Sequence, residues 1–340
     1  VVVRTLQGDA SPRRYARLLA DADSRLLMDA PRQPDGPPIR DGLPYSRIAH
    51  LAEDVRAFVA VATALGAAGL SVPAVHAHDL DRGLLLIEDL GDAVFATLVA
   101  AADRSPDQRA LWEAATDTVV TLRGVPVREQ IPLPDGTLHM VPAYDSGALE
   151  IEVGLLADWY WPYSHAGAAM PPEVRAAFFA AWRPLLARLG SDTVGWVLRD
   201  VHSPNLMWLS GRTGIARVGL IDFQDAMRGS PAYDLVSLLQ DARLDVPADL
   251  EQRLLDRYCT RVAALDRAFD EPAFRLAYAA LGAQRNTKIL GIFARLALRD
   301  GKPQYLRHLP RIWGYLARDL AHPGLSDIAL WYRTQYPVLG

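Results

Sequence analysis

Asp200, Asn205 and Asp222 are the residues of this chain most suited to chemistry. Asp200 and Asn205 belong to a polar segment, Asp200-Val201-His202-Ser203-Pro204-Asn205. An apolar run, Leu206 to Leu209, follows directly, then the turn Ser210-Gly211-Arg212-Thr213-Gly214. A second apolar run, Val218 to Ile221, ends in Asp222-Phe223-Gln224-Asp225. The order D-x-x-x-x-N, hairpin, D-F is the one phosphoryl transfer uses: one Asp accepts the proton of the attacking hydroxyl, while the Asn and second Asp hold Mg²⁺ on nucleotide phosphates. Mg²⁺ is small and keeps several waters, so one or two protein oxygens plus phosphates suffice to hold it. Asn205 closes the loop and Asp222 ends a strand, so the hairpin between them brings the two ligands together. The same residues would also serve as turn caps of a buried hairpin. The combined order favours catalysis.

Flanking elements must position these groups. Residues 1–30 read as two short strands around Gly8-Asp9-Ala10-Ser11-Pro12, with Leu26-Leu27-Met28 as a third. Residues 31–45 hold five prolines and four charged side chains and read as a loop. Helical spacing over 51–68 stops at Gly69. Leu84 to Ile87 is a strand leading into the acidic turn Glu88-Asp89-Leu90-Gly91-Asp92. Ser105-Pro106-Asp107-Gln108 reads as a capping box for a helix to about Leu122. Residues 125–148 read as loop; 149–161, 172–189 and 232–241 read as helices, and most of the remainder is helical. The expected architecture is α+β and bilobal: a β-rich N-lobe over 1–91 with one main helix, and a mostly helical C-lobe over 92–340.

The bulk composition narrows the function. Half of the 340 residues are apolar, enough for a sizeable core, and the net charge is −4. No global case exists for a nucleic-acid or anionic-membrane partner. The single cysteine, Cys259, excludes an internal disulfide and a cysteine metal cluster and fits a reducing cytoplasm. No apolar run approaches the ~20 residues a membrane span needs, and no signal peptide is visible. The chain is expected to act as a monomer. Of 36 basic residues only Lys288 and Lys302 are lysines. The strand lysine that usually meets the α- and β-phosphates in such sites is therefore missing from the N-terminal part. Met28 stands near its place.

Leu198-Arg199-Asp200 through Gln224-Asp225, with Pro231-Ala232-Tyr233-Asp234-Leu235, resembles the aminoglycoside phosphotransferase-like kinase superfamily. Further motifs resemble one branch, the bacterial anomeric kinases of N-acetylmuramic acid and N-acetylglucosamine in cell-wall recycling. They are Gly8-Asp9-Ala10-Ser11 with Arg13-Arg14-Tyr15, Leu27-Met28-Asp29-Ala30-Pro31, Ile87 to Asp92, and Gln284-Arg285-Asn286-Thr287-Lys288-Ile289-Leu290-Gly291-Ile292-Phe293. The resemblance implies ATP and Mg²⁺ as cofactors and a small sugar as acceptor. It makes Asp200 the catalytic base, and Asn205 and Asp222 the Mg²⁺ ligands. Glu88, Asp89 and Leu90 become the adenine-binding hinge. The 8–14 turn, with Ser11, Arg13 and Arg14, covers the phosphates, and Asp234 braces the catalytic loop. Leu198 departs from the His that often precedes Arg-Asp. Arg13 or Arg14 is the candidate to replace the lysine.

Family position places 144–163 over the acceptor, with Tyr144, Asp145, Glu150, Glu152 and Trp159 as sugar contacts; Asp225 either faces the acceptor as a further one or caps the next turn. Aromatics at helical spacing equally make a core. His202 reads as a backbone-bonded loop residue, Arg199 as a loop anchor, and Cys259 as buried and inert. Trp196 and Trp208 read as packing. Arg285 and Lys288 are expected at the surface, with contact to a substrate carboxylate as the alternative. Two other functions compete: an aminoglycoside or amino-alcohol kinase, and a nucleotide-binding scaffold without turnover, which the missing lysine motivates.

Overall fold

The computed structural model describes residues 1–6, 13–20, 23–101, 106–192 and 194–337. The chain forms two compact units, Val1–Pro142 with Leu198–Arg228, and Ala143–Val197 with Gly229–Gly340. The expected lobe boundary at 91/92 falls inside the first.

The first unit is built on a five-stranded antiparallel sheet. Its strands are β1 (Val2–Leu6), β2 (Arg14–Ala20), β3 (Asp23–Asp29), β4 (Val75–Asp79) and β5 (Leu84–Glu88), in spatial order β1-β2-β3-β5-β4. The expected strand at Leu26–Met28 is the end of β3. β4 has no counterpart in the sequence reading, and its burial explains why. His76, Ala77 and His78 are all exposed on this edge strand, so no apolar alternation marks it. Gly83, at φ 71°, makes the β4–β5 turn, where a Cβ would sit 2.4 Å from the Ala30 carbonyl oxygen.

Helix α1 (Val55–Ala67) begins later than the periodicity suggests, because the Asp54 side chain accepts the Arg56 N–H and caps it there. Gly69, at φ 81°, ends it as expected. The proline-rich segment is not all loop. Pro38–Arg40 pairs with Leu43–Pro44 across Asp41 and Gly42, and Tyr45–Ile48 is a helical turn. Another short ladder, Gln130–Pro132 with Leu138–Met140, sits inside the expected 125–148 loop. Helix α2 (Gln108–Arg123) is capped by Asp107, which accepts the Ala110 N–H; Ser105, the expected cap, lies outside the described residues. Strands β6 (Leu206–Trp208) and β7 (Val218–Leu220) form the anticipated hairpin. Leu220 N–H donates to Ser71 O and Trp208 N–H to Ala93 O, tying the hairpin to the rest of this unit.

The second unit is mostly helical: α3 (Ser146–Leu155), α4 (Pro172–Gly190), α5 (Ala232–Leu239), α6 (Ala248–Leu265), α7 (Glu271–Leu298), α8 (Leu309–Leu320) and α9 (Ser326–Gln335). The helix expected over 149–161 starts earlier and changes pitch. Leu156–Tyr160 is a π turn and Trp161–Ser164 resumes the α-helix. Pro162 follows that turn; proline donates no N–H and crowds the carbonyl four residues back. Helix α7 is the centre of this unit. Its Gly291 lies so close to α3 that a Cβ would stand 2.3 Å from the Leu155 carbonyl. Backbone cannot yield as a side-chain tip can. Gly291→Ala is therefore expected to destabilise the protein by about 1–3 kcal/mol or more, read as a lowered urea midpoint. No helix among the described residues is long and apolar enough to cross a membrane.

Candidate active site

The first unit brings Asp200, Asn205 and Asp222 together. Leu198–Asn205 is a chain of tight turns: Asp200 N–H donates to Leu198 O, His202 N–H to Asp200 O, and Asn205 N–H to His202 O. Pro204 lies in the 3₁₀ turn Ser203–Asn205, which delivers Asn205 to the start of β6. Asn205 Nδ2 donates to the Asp200 carbonyl at 3.1 Å and lies 3.4 Å from Asp222 Oδ2. Its side chain thus spans the loop of the candidate base and the end of β7.

Two residues here have left-handed backbone. Arg199, at φ 73°, is strained there, while Asp222, at φ 61°, is of the Asn/Asp class that tolerates the region better. Such strain persists only where neighbours over-determine it. Those neighbours are visible. Arg199 is buried and donates to Ala49 O at 2.9 Å, the anchor role expected of it. Phe223 is buried and stacks on Phe58 of α1 at 4.9 Å. Gln224 Nε2 donates to Asp222 Oδ1 at 3.0 Å, and Arg13 Nη2 to the same oxygen at 2.7 Å.

Asp200 and Asp222 remain open, with side chains 44% and 36% exposed. His202 Nε2 lies 3.7 Å from Asp200 Oδ1, so it borders the candidate base as well as the backbone. Asn205 and Asp222 fit Mg²⁺: they are a neighbouring amide and carboxylate at an accessible edge, an oxygen-donor set that leaves coordination positions for phosphate and water. No group of three or more His, Cys, Asp or Glu suited to a metal occurs among the described residues.

The other expected nucleotide contacts lie in this unit too. The Glu88 side chain is held by Arg212 and the Ala74 N–H. Asp89 accepts from Arg17, Ser24 and the Gly91 N–H. Arg17, which also pairs with Asp92 at 2.7 Å, had no role assigned from the sequence, where it is one of two arginines on β2. These contacts engage the side chains of Glu88 and Asp89 and leave the backbone of the expected hinge as its candidate adenine contact. Leu90 faces the hairpin, its Cδ1 3.1 Å from where a Cβ on Gly219 would be. Arg14 is exposed. Ser11 lies outside the described residues.

Asp225, expected either to face the acceptor or to cap a turn, has a backbone partner. It accepts the Ala52 N–H at 2.6 Å, and burial pushes its carboxyl above the ordinary range, with Arg199 and that N–H opposing.

In the second unit the expected sugar contacts have internal partners. Asp145 caps α3, accepting the Ala148 N–H. Glu150 pairs with Arg183 at 3.1 Å. Trp159 is half-buried in the π turn. Tyr144 and Glu152 are buried and hydrogen-bonded to each other. Glu152 also accepts from Gln284 at 3.0 Å and faces Lys288 Nζ at 3.3 Å, while Lys288 donates to the Tyr233 hydroxyl at 2.7 Å. This corrects the surface placement expected for Arg285 and Lys288. Both are buried, and Arg285 donates to Gln240 O. Asn286 reaches Gln240 and Asp319, and Thr287 meets Tyr332. The run Gln284–Lys288 thus turns polar side chains inward all round the middle of α7. Losing one partner of a buried ion pair costs about 3–5 kcal/mol. Glu152→Ala is accordingly expected to lower the melting temperature sharply; a raised sugar KM with unchanged melting would contradict this structural role. Asp234 is buried in the first turn of α5. Cys259 is buried, and burial pushes its thiol up to about 11, so it is inert.

A β-sheet unit with this loop, amide and D-F carboxylate, joined to a helical unit, defines a kinase-fold phosphotransferase. Residues 2–276 match the phosphotransferase enzyme family, and the chain belongs to that family. It is 40% identical, over 98% of its length and 92% of the relative's, to an N-acetylmuramate/N-acetylglucosamine kinase of Caulobacter vibrioides. It is 32% identical, over 94% and 84%, to the protein of the same name from Pseudomonas aeruginosa. Among solved structures its fold is similar to the ADP-bound aminoglycoside phosphotransferase APH(2'')-Ib, with TM-score 0.53, 14% identity and 94% of both chains covered. It is also similar to an ethanolamine kinase of Plasmodium vivax, with TM-score 0.60, 9% identity and 96% and 84% covered.

Proposed function

We propose that this protein transfers the γ-phosphoryl group of ATP, with Mg²⁺, to the anomeric hydroxyl of N-acetylmuramate, N-acetylglucosamine or both, giving the sugar 1-phosphate. The observation that carries the acceptor is the near full-length identity to two kinases of that name. The chemistry is supported by Asp200, Asn205 and Asp222 around one accessible edge. Mg²⁺ held by Asn205 and Asp222 would neutralise charge on the phosphates. Asp200 orients the acceptor hydroxyl and takes its proton as the oxygen–phosphorus bond forms. An anomeric hydroxyl is more acidic than an ordinary alcohol, so a carboxylate in hydrogen-bond reach suffices. The backbone of 88–90 binds adenine.

The test is ADP release from Mg·ATP with N-acetylmuramate, N-acetylglucosamine, glucose, kanamycin, choline or no acceptor, followed by ³¹P NMR of the product. The expected outcome is turnover on one or both N-acetyl sugars, with a phosphate coupled to the anomeric proton. Turnover on kanamycin or choline alone would transfer the protein to another acceptor class. ATP binding without turnover on any acceptor would leave a scaffold.

A further inference from the structure

We propose that Arg13 replaces the missing strand lysine: its guanidinium reaches from the start of β2 to Asp222 and carries the nucleotide phosphates. The inference rests on the phosphotransferase reading and deepens it. Three observations lead to it.

Strand register comes first. β2 pairs with β3 so that Tyr15 lies opposite Met28 and Arg14 opposite Asp29. Directly opposed residues share a face of the sheet, and so do residues two apart along a strand. Tyr15 and Met28 therefore share one face, while Arg14 points to the other; Arg13, just before β2, lines the same cavity as Met28. Met28 is 1% exposed. The cation that β3 lacks is thus supplied from just before the neighbouring strand, at the same cavity, by a longer side chain.

Charge is the second. Arg13 and Met28 line a cavity of about 170 Å³ together with Glu53, Asp54, Phe58 and Asp225. Arg13 is the only cation among its described lining residues, and it pairs with Asp222 at 2.7 Å. Glu53 is paired with Arg32 and Arg47, and Asp54 with Arg56, so Arg13 is the cation that the cavity itself presents.

Geometry is the third. A lysine ammonium is a point charge, whereas a guanidinium has a planar fork of donors that can serve a carboxylate and a phosphate at once. The Arg13 side chain is 21% exposed, which leaves part of that fork at the surface while Nη2 is on Asp222. It can therefore bridge the phosphates to the metal-binding carboxylate.

The experiment measures Mg·ATP affinity by calorimetry, steady-state kinetics, and melting temperature without ligand, for wild type, R13A, R14A and R13A/M28K. R13A is expected to weaken Mg·ATP about 10- to 100-fold, the loss of one charge-assisted contact, and to raise KM for ATP in parallel. The loss at Arg13 should exceed that at Arg14 at least tenfold. M28K in the R13A background should recover a tenfold gain in affinity, because the ammonium arises beside the same cavity. A lowered melting temperature in R13A with wild-type affinity would overturn the proposal and leave Arg13 a structural partner of Asp222. An equal loss in R14A would overturn it too. A wild-type protein that does not bind Mg·ATP would instead sink the phosphotransferase reading.

Discussion

Asp200→Asn is expected to lower kcat by a factor of about 10²–10⁴, the range over which general bases act, while the affinity for Mg·ATP stays within a few fold. The substitution keeps size and shape and removes the basic oxygen. The backbone framework of the loop stays. The loop is held by backbone bonds from Asp200 N–H to Leu198 O and from His202 N–H to Asp200 O, and by Asn205 Nδ2 on the Asp200 carbonyl. None of these uses the carboxylate. The side chain is 44% exposed, so its charge contributes little to stability. A fall in kcat with unchanged melting and unchanged nucleotide affinity would mark a loss confined to the transition state. Turnover near the wild-type rate would remove Asp200 from its role and direct attention to His202, 3.7 Å away.

The active-site half of the fold was legible because its signals are local. Apolar runs separated by a polar turn give the hairpin, and the hairpin fixes where Asn205 and Asp222 meet. Residues set by long-range contacts were not legible. Asp225 reads like Asp222 in sequence, yet only the fold shows Ala52 N–H waiting for it. Arg17 meets Asp89 only because β2 runs past it. The inward turn of Gln284–Lys288 was hidden for a related reason. Polar residues in a helix read as a solvated face, and nothing local reveals that Glu152, Gln240 and Asp319 are buried on other elements to receive them. Strand β4 was missed because an exposed edge lacks the alternation that marks a strand.

The largest effect on nucleotide binding is expected at Asp222, and two substitutions separate its charge from its backbone. Both Asp222→Ala and Asp222→Asn should abolish the gain in ATP affinity that Mg²⁺ confers and lower kcat at least as far as Asp200→Asn does. Each removes the carboxylate that, beside Asn205, would hold the ion, and water cannot replace that one charged ligand at no cost. The stabilities should differ. Asp222 sits at φ 61°, where Asn is tolerated and alanine costs roughly 1–2 kcal/mol. Alanine also strips Arg13, Gln224 and Asn205 of their shared acceptor, whereas the Asn amide keeps one oxygen for them. Urea denaturation should therefore place Asp222→Asn near wild type and Asp222→Ala about 1–3 kcal/mol below it. Unchanged ATP affinity in Mg²⁺ for Asp222→Asn would contradict the metal assignment directly. Equal stabilities for the two variants would instead show that the left-handed backbone is held by Phe223 on Phe58 and the β7 ladder alone.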